Sequence, residues 1–139
     1  MKRFFFGCLF AVSLACAEWG AKDVHTLLLK RTAQKPGVQT GKLEPALDSA
    51  GLVAVAEFYR VMGDSYRPTI TSANDFAWHV RFSKHYYNRA LDFRLFDVPR
   101  GKRSGLVLSI RRKLGNRFRV LWENAGQSGE HLHIELSGD

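Results

Sequence analysis

The fold class this sequence predicts is α+β: a small, mainly antiparallel sheet carrying two helices. Three observations carry that reading. Two segments place apolar side chains at helical spacing, several short segments alternate apolar and polar residues, and Gly, Pro and Asn punctuate the joins. A chain of 139 residues supports one domain with a real core.

Residues 1–17 stand apart from that core. Lys2 and Arg3 form a positive head, and residues 4–14 are an apolar run too short to span a membrane. Ala15-Cys16-Ala17 places small residues where a signal peptidase cuts. The segment therefore predicts export, to a periplasm or the outside, with cleavage after Ala17. Ser13-Leu14-Ala15-Cys16 also partly resembles a lipoprotein box, so membrane attachment is expected only if Cys16 is lipidated.

Residues 18–43 are polar and broken by Pro36-Gly37 and Gly41, which predicts an irregular arm with one short strand at 24–29. The domain proper is expected over 44–139. A helix runs over 45–62, with proline near its start and Gly63 after its end. Its apolar stripe is Leu52, Val55, Ala56, Tyr59 and Met62. A short strand follows at 69–72, and 73–88 reads as loop. Residues 89–96 alternate, with Leu91, Phe93 and Leu95 on one face and Ala90, Asp92 and Arg94 on the other. The second helix is expected over 105–114, with Leu106, Ile110 and Leu114 buried and Gly115 as its stop. Two last strands, 117–122 and 131–136, flank a flexible 123–129. There is no internal repeat and no low-complexity tract.

Cys8 and Cys16 are the only cysteines, and both precede the expected cut. A mature chain without thiols has no disulfide framework, and a metal site in it must use His, Asp and Glu. The net charge of +8 falls to about +6 once Lys2 and Arg3 are gone. That charge suits an anionic partner such as a cell wall or a membrane surface. Aromatic and basic residues interleave near Trp78 to Tyr87, but the export signal argues for no nucleic acid as partner. A monomer is expected.

The chemistry lies in His85, Asp92 and the pair His131/His133. Two imidazoles and a carboxylate hold a catalytic zinc while leaving one position open for water. In an extended 89–96 segment, Asp92 faces away from the apolar side. His131 and His133 share a face of their strand. If the two strands are neighbours, Asp92 meets a histidine of that pair, and His85 folds over from the loop as third ligand. The bland alternative pairs Asp92 with Arg89 or Arg94, since a lone buried carboxylate is costly. His25 and His79 have no assignable role, though His79 lies near the site in sequence and could touch substrate.

The run Ser83-x-His85-x-x-Asn88-x-Ala90-x-Asp92 resembles the Ser-x-His-x-x-Gly-x-Ala-x-Asp signature of the zinc D-alanyl-D-alanine carboxypeptidase family. That family includes vancomycin-resistance dipeptidases and phage L-alanyl-D-glutamate endolysins, and shares its fold with the Hedgehog signalling domain. Ile70-Thr71-Ser72 and Glu130-His131-Leu132-His133-Ile134-Glu135 resemble its flanking segments, so the likeness covers roughly 66–136. It implies a zinc ion held by His85, Asp92 and His133. It also implies Glu130 as general base, His131 beside the metal or the substrate, and Ser83 as a substrate contact. Two positions depart from the pattern. Asn88 replaces glycine, and asparagine tolerates positive φ best among the other residues. The usual arginine after Thr-Ser is missing, and Arg67 or Arg81 is left to bind substrate.

Strand alternation raises an objection to Glu130, which in an unbroken strand faces away from His133. A bend at Gly129 removes it; otherwise Glu123 is the reserve base. The expected activity is cleavage of a peptidoglycan stem peptide, as a D,D-carboxypeptidase or an L-Ala-D-Glu endopeptidase. The alternative is a non-catalytic wall- or protein-binding module on the same fold.

Overall fold

The computed structural model describes residues 20–75 and 79–138. The expected signal segment with its two cysteines, and Trp78, lie outside the described residues. Among the described residues there are three α-helices rather than two, and five strands.

The additional helix is α1, Ala21–Arg31, where a strand was expected at 24–29. Val24 and Leu28 lie one helical turn apart, and the consecutive Leu27-Leu28-Leu29 favours helix intrinsically. Asp23 accepts from the Gly20 N–H at 3.1 Å, and Lys30 and Arg31 stand at the negative end of the helix. Strand β1, Ala33–Gln34, then pairs in parallel with β2, Thr69–Ser72. The expected irregular arm is thus a helix and an edge strand.

Helix α2 spans Pro45–Met62, as its proline and the following Gly63 predict. Its buried side is Leu47, Ala50, Ala54, Val55 and Phe58, rotated from the expected stripe, and Ala56 is exposed. The rotation follows from α1, which claims a second flank of α2. Gly51 marks that approach: a Cβ there would stand 2.9 Å from Leu28 and 3.0 Å from Leu91. His25 of α1 bonds the buried Asp48 of α2 at 2.7 Å, and burial pushes the Asp48 carboxyl up.

Helix α3, Arg100–Leu114, begins five residues earlier than expected, because Gly101 and Gly105 hid its first turns. It buries Leu106, Val107 and Ile110, with Leu114 half-buried. Between α2 and α3 lies Glu57, only 1% exposed. Lys113, Arg60 and Ser109 reach it at 2.7, 3.0 and 2.6 Å. Burial raises its pKa, but these three donors outweigh it and hold the carboxyl at about 2.

The remaining strands are β3 (Ala90–Arg94), β4 (Phe118–Glu123) and β5 (His131–Leu136). The sheet order is β1-β2-β3-β5-β4, antiparallel except for β1 with β2. The helices cover one face, where Leu91, Phe93, Leu132 and Ile134 meet Phe58, Leu106 and Ile110. Each such side chain contributes roughly 1.5–3 kcal/mol by leaving water. The other face carries Asp92, His131, His133 and Glu123. No helix among the described residues is long and apolar enough to cross a membrane.

Candidate metal centre

Strands β3 and β5 are neighbours, and Asp92 lies directly opposite His133 in the ladder. One rung therefore sets two of the three expected ligands. The third arrives from the loop after β2. Ser83 caps the short 3-10 turn Lys84–Tyr87, its hydroxyl accepting from the His85 N–H at 3.4 Å. Asn88 closes that turn at φ 61°, the conformation glycine would otherwise supply. The turn lowers His85 onto Asp92 and leaves them 2% and 6% exposed.

Asp92 is surrounded by imidazoles rather than by Arg89 or Arg94. His133 Nδ1 lies 2.7 Å from its Oδ1, and His85 Nε2 and His131 Nε2 lie 3.2 and 3.6 Å from its Oδ2. Each ring has its other nitrogen committed outward. His85 Nδ1 donates to the Ala73 carbonyl at 2.6 Å, His131 Nδ1 to the Gly129 carbonyl at 2.7 Å, and His133 Nε2 to Glu135 at 3.0 Å. In neutral imidazoles the inward nitrogens are then lone pairs aimed at a carboxylate. Such an arrangement requires a proton or a cation between them. Burial opposes ionisation of Asp92 and of His133. Their mutual hydrogen bond outweighs it, holding Asp92 below the usual carboxylate range and lifting His133 to about 9.

One donor atom from each of His85, Asp92 and His133 falls within 4.8 Å of the others, so these buried groups could hold a metal ion. Glu123, His131 and His133 form a second such group at the same cleft. The donor set fits a borderline cation such as zinc, with two nitrogens, one carboxylate oxygen and no sulfur.

Glu130 is not brought to this centre. Its carboxylate bonds Arg103 of α3 and, at 2.7 Å, the Trp122 indole N–H. Trp122 stands opposite Leu132 in the ladder, on the helix side of the sheet. Gly129 does adopt φ 82°, but the strand beyond it keeps its alternation. Glu123, opposite His131, shares the imidazole face and bonds His131 Nε2 at 3.0 Å. Arg81 is exposed and rests over the Phe82 ring, while Arg67 bonds the carbonyls of Lys30 and Thr32. Neither arginine lines the cleft, which encloses about 660 Å³ between the His79–His85 segment and β4–β5. Ser83 does line it, with Lys84 and Arg119.

Two further residues at the centre gave little sign of themselves in the sequence. Glu135 could have been found, because it continues the alternation of His131 and His133. His79 could not. Its ring stacks on His85 at 4.2 Å, and its Nε2 meets the Ser72 hydroxyl at 3.1 Å. Comparison of the chain with family models, curated proteins and solved structures finds no match.

Proposed function

We propose that this chain is a zinc-dependent peptidase acting on peptidoglycan stem peptides, in the manner of the D-alanyl-D-alanine carboxypeptidases its motifs resemble. One observation supports it above all: three imidazoles, each anchored outward through one nitrogen, converge through the other on a single buried carboxylate. His85, Asp92 and His133 would hold the ion. Bound there, zinc supplies the Lewis acidity that activates water and polarises a carbonyl.

The remaining work falls to side chains of the imidazole face. Glu123 replaces Glu130 as general base. It accepts the proton of the attacking water and returns it to the leaving amine. His131, held by the Gly129 carbonyl and Glu123, presents Nε2 toward the centre, and its protonated form can donate to the developing oxyanion. Ser72 and His79 brace His85 from behind. Ser83 positions His85 through the turn it caps, and its place on the cleft wall also suits a substrate contact. The substrate-binding arginine expected at Arg81 has no support, and Lys84 and Arg119 are the cations that line the cleft.

The test is mass spectrometry of purified muropeptides incubated with zinc-loaded protein and with a chelated control. Zinc-dependent loss of a terminal D-alanine, or scission after L-alanine, is the expected result. Unchanged muropeptides in both arms would remove the peptidase reading and favour a binding module. Glu123→Gln should abolish cleavage while keeping zinc. If Glu123→Gln cleaves normally, the base assignment fails.

A further inference from the structure

The charge of this chain is distributed unevenly. Residues 98–122 contain eight of the 21 Lys and Arg and none of the 13 Asp and Glu. Outside that segment 13 basic residues face 13 acidic ones, so the whole formal net charge of +8 resides in α3, the turn after it and β4 short of Glu123.

Folding accounts for some of these cations. Arg103 is buried against Glu130, Lys113 reaches Glu57, and Arg119 approaches Glu135 at 3.6 Å. Arg100, Lys102, Arg111, Arg112 and Arg117 have no carboxylate partner among the described residues, and all five are exposed. Arg111 and Arg112 stand in the last turn of α3, where the helix dipole favours them. Arg100 and Lys102 stand in its first turn, where the dipole opposes them, and no acidic residue offsets them there. Lys102 Nζ reaches the Val61 carbonyl of α2 at 3.3 Å, whereas Arg100 makes no such contact among the described residues.

Helical geometry arranges these cations as two rails. Arg100 and Arg111 are eleven residues apart, close to three full turns, and so share one flank about 16 Å apart along the axis. Lys102 and Lys113 repeat the relation on the opposite flank, which turns to α2, where Lys113 meets Glu57 and Lys102 the Val61 carbonyl. Arg117 and Arg119 extend the basic surface to the mouth of the cleft, which Arg119 lines. The exposed aromatics Phe82, Tyr87 and Phe96 all lie outside α3, and the apolar side chains beside its cations are Leu108 and the half-buried Phe118, over whose ring Arg117 rests.

We propose that this surface binds a linear phosphodiester polymer of the cell envelope, a polyol phosphate, and so holds the protein on its anionic surroundings. Dense positive charge with little aromatic surface suits a flexible strand of phosphates better than a protein or a nucleobase. The inference is independent of what the metal centre does.

The probe is fluorescein-labelled poly(glycerol phosphate), followed by anisotropy across a salt series. Five phosphate contacts predict a log–log salt slope of about −3.5, or roughly a hundredfold loss between about 50 and 200 mM salt. Arg100→Gln/Lys102→Gln/Arg112→Gln should weaken binding at least tenfold and flatten the slope by about 2. Lys22→Gln/Lys30→Gln/Lys42→Gln removes equal charge from exposed sites elsewhere and should leave binding unchanged. Equal loss in both triples would overturn the proposal, as would absent or salt-insensitive binding. Tighter binding of duplex DNA at matched phosphate concentration would also overturn it, in favour of a nucleic-acid surface.

Discussion

Glu57 and Asp92 are both buried carboxylates, 1% and 6% exposed, yet they keep different company. Glu57 sits between two helices with two permanent cations and a hydroxyl. Its charge is compensated at every pH at which it is ionised, and its neighbours hold the helices together. Asp92 sits on the opposite face of the sheet among three imidazoles, whose compensation depends on protons. A carboxylate among lysine and arginine is a structural joint, whereas one among histidines could hold an exchangeable cation. Glu130, enclosed by Arg103 and Trp122, belongs with Glu57.

That contrast breaks most visibly at Asp92. Zinc at about a hundredfold above its Kd should stabilise the wild-type protein by about 2.7 kcal/mol, a rise of roughly 10 °C in Tm. Asp92→Asn should erase the rise and lower zinc affinity by at least a thousandfold, read by competition with a chromophoric chelator. Glu57→Gln should keep both. If zinc still stabilises Asp92→Asn fully, the two carboxylates do not differ in kind. Next in size is Glu130→Gln, expected to cost about 3 kcal/mol in urea unfolding because it strands the buried Arg103. Its zinc stoichiometry should not change.

Glu57→Gln should cost less, about 1–2 kcal/mol at neutral pH, because Lys113 and Arg60 are more than half exposed and screened by water. The sign of its pH dependence follows from a carboxyl depressed from 4.5 to about 2 in the folded protein. The stabilisation is complete above pH 4.5 and is lost as pH falls toward 2. Wild-type and variant denaturation midpoints should therefore converge over that window; a constant gap would show that the charge of Glu57 is not the cause. The smallest effect is Ser109→Ala, about 1 kcal/mol from one hydrogen bond to the same carboxylate.

The sequence and the structure agree where a local rule operates. Pro45 and Gly63 bounded α2, and alternation separated Asp92 from Leu91 and Phe93. Asn88 announced a left-handed turn. What the sequence hid was decided at long range. Leucine favours helix intrinsically, but three consecutive leucines in 27–29 show no helical stripe until α2 offers them a surface. The stripe of α2 turned because α1 occupies its flank, as the close contact at Gly51 and the His25–Asp48 bond record. At the centre, the period of two correctly set Glu130 against His133, and the proposed bend at Gly129 did not overcome it. The brace from His79 depends on a loop path that no periodicity describes.

The C-terminal strand β5 is interior to the sheet, hydrogen-bonded to β3 on one side and β4 on the other. It emerges after β4 during synthesis, so β4 has no neighbouring strand and β3 has only β2 until residues 131–136 are free. The rung that joins Asp92 to His133, and with it the two halves of the sheet, can therefore close only at the end of synthesis.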